Sequence, residues 1–404
     1  MLRNIVVGLS GGVDSAVTTL LLKRKGFNVT AVFIKNWDTI DETGECLAEK
    51  EYKDAEWVAK KLDVPLVRVD FVKEYWNDVF SYLLDSYQNG HTPNPDIKCD
   101  SKIKFGSFYR FARDNLKADA VATGHYARTS FGPYLEGFKP NANVKLLQAF
   151  DPDKDQTFFM SQVEQEPLRR CMFPLGEYQK RDVKKIAAEA ELDVVLRKKE
   201  SMGICFIGLR NFQQFISEYV ENKPGNFVDL ETGSVVGKHE GIHHWTLGQR
   251  CRISGGSRPY FVFQKDVKTN EILVVPGTDH PALYTQMVVA SKPHWICEEP
   301  DEFKNGRVLR CDFRFQHRRP LSSSMAYKGS NDTLIILVND PQRAITPGQF
   351  AVLYKGEECL GSATILYPGP SLHSLRQELS PSVETVETPV ETPGEAPMQS
   401  VKCN

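Results

Sequence analysis

The sequence lacks the features of two common classes of protein. It has no apolar run approaching the ~20 residues that a membrane-spanning helix needs, so we expect a soluble protein with no membrane partner. It has no Cys-x-x-Cys pair and no Cys/His spacing typical of a metal site, which argues against zinc and against an iron–sulfur cluster. Its nine cysteines are scattered, and an odd number without a secretory signal favours individual thiols in a reducing compartment.

A large charge of one sign is also missing. The 404 residues carry a net charge of −2, and 41% of them are hydrophobic, enough for about two or three domains with real cores. Five glutamates against Arg376 and Lys402 make residues 371–404 acidic, which leaves +1 on the rest of the chain. A near-neutral body of this kind can bind nucleic acid where its cations cluster on one face.

The most informative segment is the start of the chain, where an apolar run at residues 5–7 breaks into a Ser/Gly-rich turn that feeds a helical pattern. Paired glycines let successive N–H groups converge on one anion, and the helix N-terminus adds the positive end of its dipole. The segment therefore predicts a phosphate-binding loop; the alternative is a Gly-rich turn without a ligand. The residues of the loop are Gly8, Leu9, Ser10, Gly11, Gly12, Val13, Asp14 and Ser15.

Two familiar phosphate loops are absent from this segment. No Gly-Lys-Ser/Thr follows, so it is not a Walker loop, and it does not match the dinucleotide Gly-x-Gly-x-x-Gly pattern. It resembles instead the pyrophosphate loop of the ATP-pyrophosphatase enzymes, which cut ATP between its α and β phosphates and adenylate a substrate oxygen.

The pattern along the chain predicts an α/β fold. Strands that alternate with helices in the first half indicate a doubly wound parallel sheet, with ligands at the carboxyl ends of its strands. After about residue 224, short β runs between Gly, Pro and Asn turns predict two small β domains, the second a barrel. The predicted units are a catalytic domain at 1–210, a central β domain at 211–282, a C-terminal β-barrel at 283–370 and a disordered acidic tail at 371–404.

Hydrophobic periodicity gives more local predictions for the first half. The predicted helices after the opening loop are 49–62, 76–87, 107–116, 181–191 and 210–220. The predicted strands after the first apolar run are 29–34, 64–69 and 118–123, the last ending in Gly124-His125-Tyr126.

Three other segments carry candidate chemistry. At 89–100, two prolines predict an extended loop that aims Asp96 and Cys99, and flanking lysines with a helix starting just beyond would favour a thiolate; an incidental cysteine on a solvent-facing loop is the alternative. Cys205 lies among apolar residues, so a buried structural thiol is the first expectation there. Polar residues at 151–156 precede an aromatic run and are typical of a solvated helix cap. The lysines beside Cys99 are Lys98, Lys102 and Lys104.

Together these segments resemble one family, the tRNA-specific 2-thiouridylases of bacteria and mitochondria. The resemblance covers about residues 3–368 and leaves only the tail outside. Beyond the opening loop, it is carried by the residues Phe33-Ile34-Lys35-Asn36-Trp37, Asn94-Pro95-Asp96 with Cys99, Ala122-Thr123-Gly124-His125-Tyr126, Lys154-Asp155-Gln156, Gly203-Ile204-Cys205-Phe206, Trp245-Thr246-Leu247-Gly248-Gln249-Arg250 and Thr346-Pro347-Gly348-Gln349.

The resemblance implies ATP-dependent sulfur transfer to the wobble uridine of tRNA. ATP would bind on residues 8–15, with Ile34 and Gly124 near the adenine and ribose. Many family members have Met at the Ile34 position, an apolar swap of similar volume. Mg²⁺ would accompany ATP, with Asp14 as the side chain placed to reach it. The uracil 2-oxygen would attack the α phosphate and release pyrophosphate.

The same resemblance assigns the sulfur chemistry. By analogy Cys205 carries the incoming sulfur as a persulfide, and Cys99 is the partner thiol that releases the sulfur or forms a transient disulfide with Cys205. Asp96 is the expected general acid/base. Which thiol attacks first stays open.

The RNA contacts also follow from the resemblance. Asn94, Pro95 and Asp96 match the positions at the target base. Residues 314–319 form a cationic track for phosphates in which Phe315 could stack on a base, although Tyr is common at that position in the family. The positions expected to touch tRNA are His125, Lys154, Asp155, Gln156, Arg314, Phe315 and Gln349.

Two other functions fit parts of the sequence. A small-molecule adenylating ligase would share the opening loop, but the asparagine- and argininosuccinate-type enzymes lack the Cys99/Cys205 pair and the β domains. A tRNA-binding protein without catalysis is argued against by the intact loop, Asp96 and both thiols. The expected partners are an anticodon stem-loop and a persulfide donor or relay protein fed by a cysteine desulfurase. The Glu/Pro/Thr tail favours a mitochondrial member, with bacterial cytoplasm as the alternative.

Overall fold

The computed structural model describes residues 2–37, 47–198, 211–253 and 258–379. Within those ranges no helix combines the length and apolar character needed to cross a membrane. Cys205 lies outside the described residues. The strands are β1 Asn4–Gly8, β2 Asn28–Lys35, β3 Leu66–Asp70, β4 Ala120–Ala122, β5 Arg128–Thr129, β6 Leu146–Leu147, β7 Cys171–Met172, β8 Gly225–Asp229, β9 Val235–His239, β10 Arg250–Cys251, β11 Tyr260–Asp266, β12 Glu271–Pro276, β13 Tyr284–Ala290, β14 His294–Trp295, β15 Leu309–Arg314, β16 Ser322–Lys328, β17 Leu334–Arg343, β18 Phe350–Lys355 and β19 Glu358–Pro368.

The helices alternate with the first strands and become sparse later. The α-helices are α1 Val13–Arg24, α2 Leu47–Lys61, α3 Val72–Tyr75, α4 Ser81–Gln88, α5 Pro95–Lys98, α6 Tyr109–Asp114, α7 Gln165–Arg169, α8 Lys180–Glu189, α9 Asp193–Leu196, α10 Phe212–Ser217, α11 Asp301–Lys304 and α12 Leu372–Leu379. π-Helical turns at Trp76–Phe80 and Cys99–Phe108 join α3 to α4 and α5 to α6, and short 3₁₀ turns lie at Ile242–His244, Pro281–Leu283 and Ser330–Asp332.

The first sheet has five parallel strands in the order β3-β2-β1-β4-β7. The central strand β1 is buried because Ile5, Val6 and Val7 are apolar on both faces, as expected for a parallel sheet covered on both sides. The chain leaves β1 toward β2 on one side, and β4 lies on the other. This reversal places a ligand site at the carboxyl ends of β1 and β4, and it confirms the predicted doubly wound sheet.

The helical segment that carries Cys99 begins earlier than the sequence predicted. Pro95 occupies the first turn of α5, where its missing N–H costs nothing, and the Asn94 Oδ1 accepts a hydrogen bond from the Ile97 N–H at 3.4 Å. The expectation of an extended loop followed by a helix beyond Cys99 is therefore wrong. Cys99 instead begins the π-helical turn that follows α5.

The second half forms two β units. The central sheet has the order β10-β11-β12-β8-β9 and is mixed, since β12 and β8 are parallel. In the C-terminal unit, β13, β17, β16, β15, β18 and β19 pair in turn, and pairing of β13 with β19 closes a six-stranded barrel. The predicted barrel is confirmed. β6 pairs with β19, so residues of the first half extend the barrel sheet and join the two parts of the chain.

The start of the predicted disordered tail is helical. α12 follows Ser371, whose Oγ accepts a hydrogen bond from the Ser374 N–H at 3.1 Å. The helix lies against the 3₁₀ turn at Pro281–Leu283. The prediction of disorder from residue 371 is wrong for these residues, since Ser371 caps a helix that lies against the 3₁₀ turn.

We expect substitution of Ile336 by Ala to lower the free energy of unfolding by about 2–5 kcal/mol, because the side chain is fully buried in the barrel core. Its neighbour on β17, Leu337, is 36% exposed, and Leu337→Ala should cost about 0.5 kcal/mol. Urea denaturation of the two variants measures both values. Equal losses would contradict the inward and outward assignment of these strand positions.

Candidate active site

The loop between β1 and α1 is shaped to present backbone amides at the edge of the parallel sheet. Gly11 has φ +71°, and a Cβ there would lie 2.5 Å from the Glu51 carbonyl oxygen. Gly12 is the N-cap of α1, and no side chain caps this helix end. The Ser10 N–H donates to the Ser15 Oγ at 3.2 Å, and that hydroxyl donates to the Gly12 carbonyl at 3.0 Å. The helix dipole and the loop amides are therefore directed toward an anion.

A second turn packs closely against this loop. Gly124 follows β4, and a Cβ on it would lie 2.8 Å from the Ser15 backbone nitrogen and 2.9 Å from the Asp14 carbonyl carbon. Ile34 lies half-buried near the carboxyl end of β2, on the other side of β1. The structure thus brings Gly124, Ile34 and the loop to one edge of the sheet, as parallel strands require.

Two lysines that the sequence reasoning did not single out contact the loop. Lys180, buried at the start of α8, donates to both carboxylate oxygens of Asp14 at 2.6 Å, and the Tyr126 hydroxyl donates to the same group at 2.9 Å. Lys198 donates to the Gly11 carbonyl at 3.1 Å. No local spacing signals these contacts, because Lys180 lies 166 residues from Asp14. Each lysine also pairs with a carboxylate, Lys180 with Asp14 and Lys198 with Asp54, so the positive charge beside the loop is balanced by negative charge.

Asp14 has carboxylate oxygens of the kind that Mg²⁺ prefers, but in this structure both accept hydrogen bonds from the Lys180 ammonium. Among the described residues, no group of three or more His, Cys, Asp or Glu side chains is arranged to hold a metal ion. A magnesium ion here would take its remaining ligands from phosphate oxygens and water, in keeping with the few protein ligands that Mg²⁺ ordinarily uses.

The loop at residues 92–96 is held by the barrel. The Gln349 side-chain amide donates to the Thr92 and Pro93 carbonyls at 2.9 and 3.1 Å, and the Asn94 amide donates to the Gln349 Oε1 at 3.5 Å. The Thr92 N–H donates to the Pro347 carbonyl at 3.0 Å. Gln349 and Asn94, 255 residues apart, therefore form one surface. The sequence predicted both positions, and only the fold shows that they touch.

Asp96 has the electrostatics of a proton-transfer group. Its side chain reaches solvent, yet the surrounding protein withholds enough water to raise the pKa of its carboxyl. The Lys104 ammonium opposes this rise in pKa, and the Asp100 carboxylate adds to it. A carboxylate of raised pKa is a stronger base than an ordinary one.

Two of the lysines that flank Cys99 have other partners. Cys99 is buried, and the Lys98 ammonium lies 4.9 Å from the Tyr82 ring centroid, against an aromatic face. The Lys104 ammonium pairs with the Asp100 carboxylate at 2.6 Å. The thiolate that the flanking lysines favour at Cys99 stays a prediction. The predicted contact with Cys205 lies outside the described residues.

The His125 side chain is buried and does not face solvent. Its Nδ1 lies 2.8 Å from the Thr123 Oγ1, and its Nε2 lies 3.3 Å from the Lys104 ammonium and 3.5 Å from the Asp100 carboxylate. Burial, followed by the Lys104 charge, lowers the pKa of His125, so the imidazole is neutral near pH 7. With Lys104 donating to Nε2, the Nδ1–H donates to Thr123.

The segment at 154–156 joins the sheet domain to the barrel. Asp155 is 1% exposed, accepts a hydrogen bond from the Ala149 N–H at 3.0 Å and lies 3.6 Å from the Arg314 guanidinium. The Gln156 side chain accepts a hydrogen bond from the Tyr126 N–H at 2.9 Å. The solvated-cap alternative is wrong for Asp155, whose side chain holds the two parts of the chain together; Lys154 is half-buried beside it.

The cationic track at 314–319 is smaller than predicted. Phe315 is 1% exposed and stacks on Phe313 with ring centroids 5.8 Å apart in the barrel core, so the expectation that its ring stacks on a base is contradicted. The inward and outward alternation of β15, which ends at Arg314, continues to Phe315 and turns this apolar ring inward. Arg314 is used internally, and the exposed cations are Arg318 and Arg319.

The fold and the site together define a class. A doubly wound sheet with a Ser-Gly-Gly loop at its switch point, flanked by lysines and followed by two β units, is a nucleotide-binding domain of the ATP-pyrophosphatase kind. Family profiles agree in detail: the tRNA methyl transferase HUP domain matches residues 3–209, the tRNA methyl transferase PRC-barrel domain matches 213–276 and the aminomethyltransferase β-barrel domain matches 285–365.

Curated relatives match nearly the whole chain. The mitochondrial tRNA-specific 2-thiouridylase 1 of Drosophila melanogaster is 50% identical and covers 92% of this chain and 95% of its own. The protein of the same name in Homo sapiens is 48% identical over 98% of both chains. The tRNA-specific 2-thiouridylase MnmA of Alkaliphilus oremlandii is 42% identical and covers 89% of this chain and 96% of its own. The chain belongs to the tRNA-specific 2-thiouridylase family.

We expect Gly124→Ala to weaken ATP binding about tenfold or more, because the new Cβ would displace the backbone of Ser15. Gly137→Ala is the matched control, since a Cβ there meets the Phe131 Cα at an ordinary 3.4 Å. Titration of each variant with a fluorescent ATP analogue measures the change. Unchanged affinity in Gly124→Ala would show that ATP does not use this loop.

Proposed function

We propose that this protein is a tRNA-uridine 2-sulfurtransferase that activates the wobble uridine with ATP and replaces its 2-oxygen by sulfur. The observation that supports this most is the link between two loops: the Gly124 turn packs on the phosphate loop, and its neighbour His125 lies 3.5 Å from Asp100, on the helical segment that begins at the Asn94–Asp96 loop. The phosphate loop and the Asn94–Asp96 loop carry different chemistry, and Gln349 of the barrel holds the second of them in place. Such a surface can hold ATP and a splayed-out base together.

Adenylation is the first step. ATP lies on residues 8–15, the uracil 2-oxygen attacks the α phosphorus, and pyrophosphate leaves. The N3 proton of the base passes to the Asp96 carboxylate, whose raised pKa suits it to accept one. When bound, Mg²⁺ offsets the charge of the leaving pyrophosphate, and Asp14 together with the phosphates would hold it. Activity should therefore fall as the pH drops through the raised pKa of Asp96.

Sulfur transfer is the second step. Cys205 carries a persulfide supplied by a donor protein, Cys99 attacks the Cys205 sulfur, and the terminal sulfur leaves with the electrons of the broken S–S bond. That sulfur attacks C2 of the activated base, and AMP departs with the former 2-oxygen. A disulfide between Cys99 and Cys205 results, and a thiol reductant restores both thiols. The alternative order, direct attack of the persulfide on C2, gives the same products.

Recognition uses the anticodon arm. A base inside a loop must swing out of its stack to reach a pocket, and unpaired loops are where proteins read RNA most easily. Asn94, Pro95 and Asp96 would contact the base, and the exposed Arg318 and Arg319 would contact phosphates. We further propose that the protein acts in mitochondria, since both animal relatives described above are named mitochondrial.

The direct test is mass spectrometry of nucleosides from an unmodified anticodon stem-loop. The RNA is incubated with the protein, ATP, Mg²⁺ and a persulfide source, with a reaction lacking ATP as control. We expect the wobble uridine to gain sulfur for oxygen only when ATP is present. Pyrophosphate release without sulfur gain would support the adenylation chemistry and overturn the proposed acceptor or the thiol roles.

The variant Cys205→Ser separates the two steps. It should release pyrophosphate in the presence of the stem-loop at a rate close to that of the unmodified protein, because no thiol takes part in adenylation. It should form no 2-thiouridine. Residual 2-thiouridine in this variant would rule out Cys205 as the persulfide carrier.

We expect the double variant Arg318→Ala/Arg319→Ala to weaken binding of the stem-loop and to reduce the slope of log affinity against log salt by about one to two, because two phosphate contacts are lost. Arg310→Ala, another exposed arginine at the far end of β15, is the matched control. Filter binding at several salt concentrations measures both. An unchanged slope in the double variant would place the RNA elsewhere.

A further inference from the structure

A compact network of charged groups lies between the target-base loop and the Gly124 turn. Asp100 is 2% exposed, and its carboxylate lies 2.6 Å from the Lys104 ammonium and 3.5 Å from the His125 Nε2. The Lys104 ammonium also lies 3.3 Å from that nitrogen. The three side chains thus form a closed triangle, fastened on the far side by the 2.8 Å contact between His125 and Thr123.

A buried network of charged groups adds little net stability to a fold. Removing a carboxylate from water costs several kcal/mol, and an ion pair inside a protein often does no better than apolar side chains of the same volume. Burial raises the pKa of Asp100, but the Lys104 ammonium at 2.6 Å opposes this rise, and the pKa of the carboxyl stays below its ordinary value, so that it is ionised. A buried charged group next to a reaction site therefore indicates a role in the chemistry of that site.

Asp96 lies on the same helical segment as two members of this network. Asp96, Asp100 and Lys104 follow one another at intervals of four residues on one continuous helical segment, so they lie along one face. Side chains lean toward the N-terminus of a helix, and the Lys104 ammonium accordingly reaches back one turn to Asp100. Its charge therefore sits on the side of the segment that carries Asp96.

We propose that Lys104 is a positioning residue of the adenylation step: held by Asp100 and His125, its ammonium keeps the Asp96 carboxylate ionised and ready to accept the uracil proton. This inference rests on the proposed function. Asp100 has two effects in this arrangement, since it anchors the lysine and also repels the charge of Asp96. The two partners should therefore shift the ionisation of Asp96 in opposite directions.

The charged groups that act on Asp96 are Lys104, which lowers its pKa, and Asp100, which raises it, while burial raises it further. His125 is neutral near pH 7 and therefore adds no positive charge beside Asp96. The negative charge of Asp14 on α1 acts on His125. Loss of Lys104 must then raise the pKa of Asp96. Loss of the Asp100 charge must lower it.

The test is the pH dependence of stem-loop-dependent pyrophosphate release in a single turnover, which involves no cysteine. In Lys104→Met we expect the acidic limb of the rate profile to move to higher pH by about one unit. At a fixed pH on the acidic side of the limb, the rate should then be about tenfold lower. Asp100→Asn should move the limb down. The double variant Lys104→Met/Asp100→Asn should return it close to its original position, and Lys104→Arg should leave it unchanged.

Lys102→Met is the matched control, because Lys102 is an exposed lysine on the same helical segment. It should leave the profile unchanged, and affinity for ATP should be equal in all variants. Shifts in the same direction for Lys104→Met and Asp100→Asn, or an additive loss in the double variant, would indicate a structural role and overturn the proposal. Absence of RNA-dependent pyrophosphate release from the unmodified protein would instead overturn the proposed function.

Discussion

The close approach of Gly124 to the backbone of Ser15 is the constraint on which the rest of the site depends. Two loops that leave neighbouring parallel strands can share one ligand only if their backbones nearly touch, and here a single Cβ would keep them apart. The contact places Tyr126 against Asp14, and Asp14 in turn pairs with Lys180 of α8. One missing side chain thus allows three distant segments to meet around the predicted nucleotide.

The barrel contributes side chains that hold parts of this site in place. Gln349 fastens the loop that carries Asn94, and Arg314 pairs with the buried Asp155 next to the Gly124 turn. β6 adds a strand connection between the two halves of the chain. Several residues expected to touch RNA therefore have a structural contact as well, and the barrel positions the target-base loop through hydrogen bonds to its backbone. Any RNA bound across this junction would contact both parts of the chain.

Charge in the site is organised in pairs of a lysine and an aspartate, two of which lie on the helices around the sheet. Lys180 neutralises Asp14 at the phosphate loop, and Lys104 neutralises Asp100 beside the target-base loop. One partner of each pair, Lys180 and Asp100, is largely shielded from water, and electrostatic interactions are stronger there than at the open surface. At Asp96, loss of water raises the pKa of the carboxyl, and the Lys104 ammonium lowers it.

Local sequence determined much of this protein. The buried parallel strands, the phosphate loop and the barrel follow from apolar periodicity and from glycine placement, because those patterns act over a few residues. Family motifs were enough to name Asp96, Cys99 and Gln349. Tertiary structure alone decided which of these residues meet: it paired Lys180 with Asp14 across 166 residues, buried Phe315 in the barrel and started a helix at Pro95. Such outcomes depend on packing and charge between segments far apart in sequence, which no local pattern records.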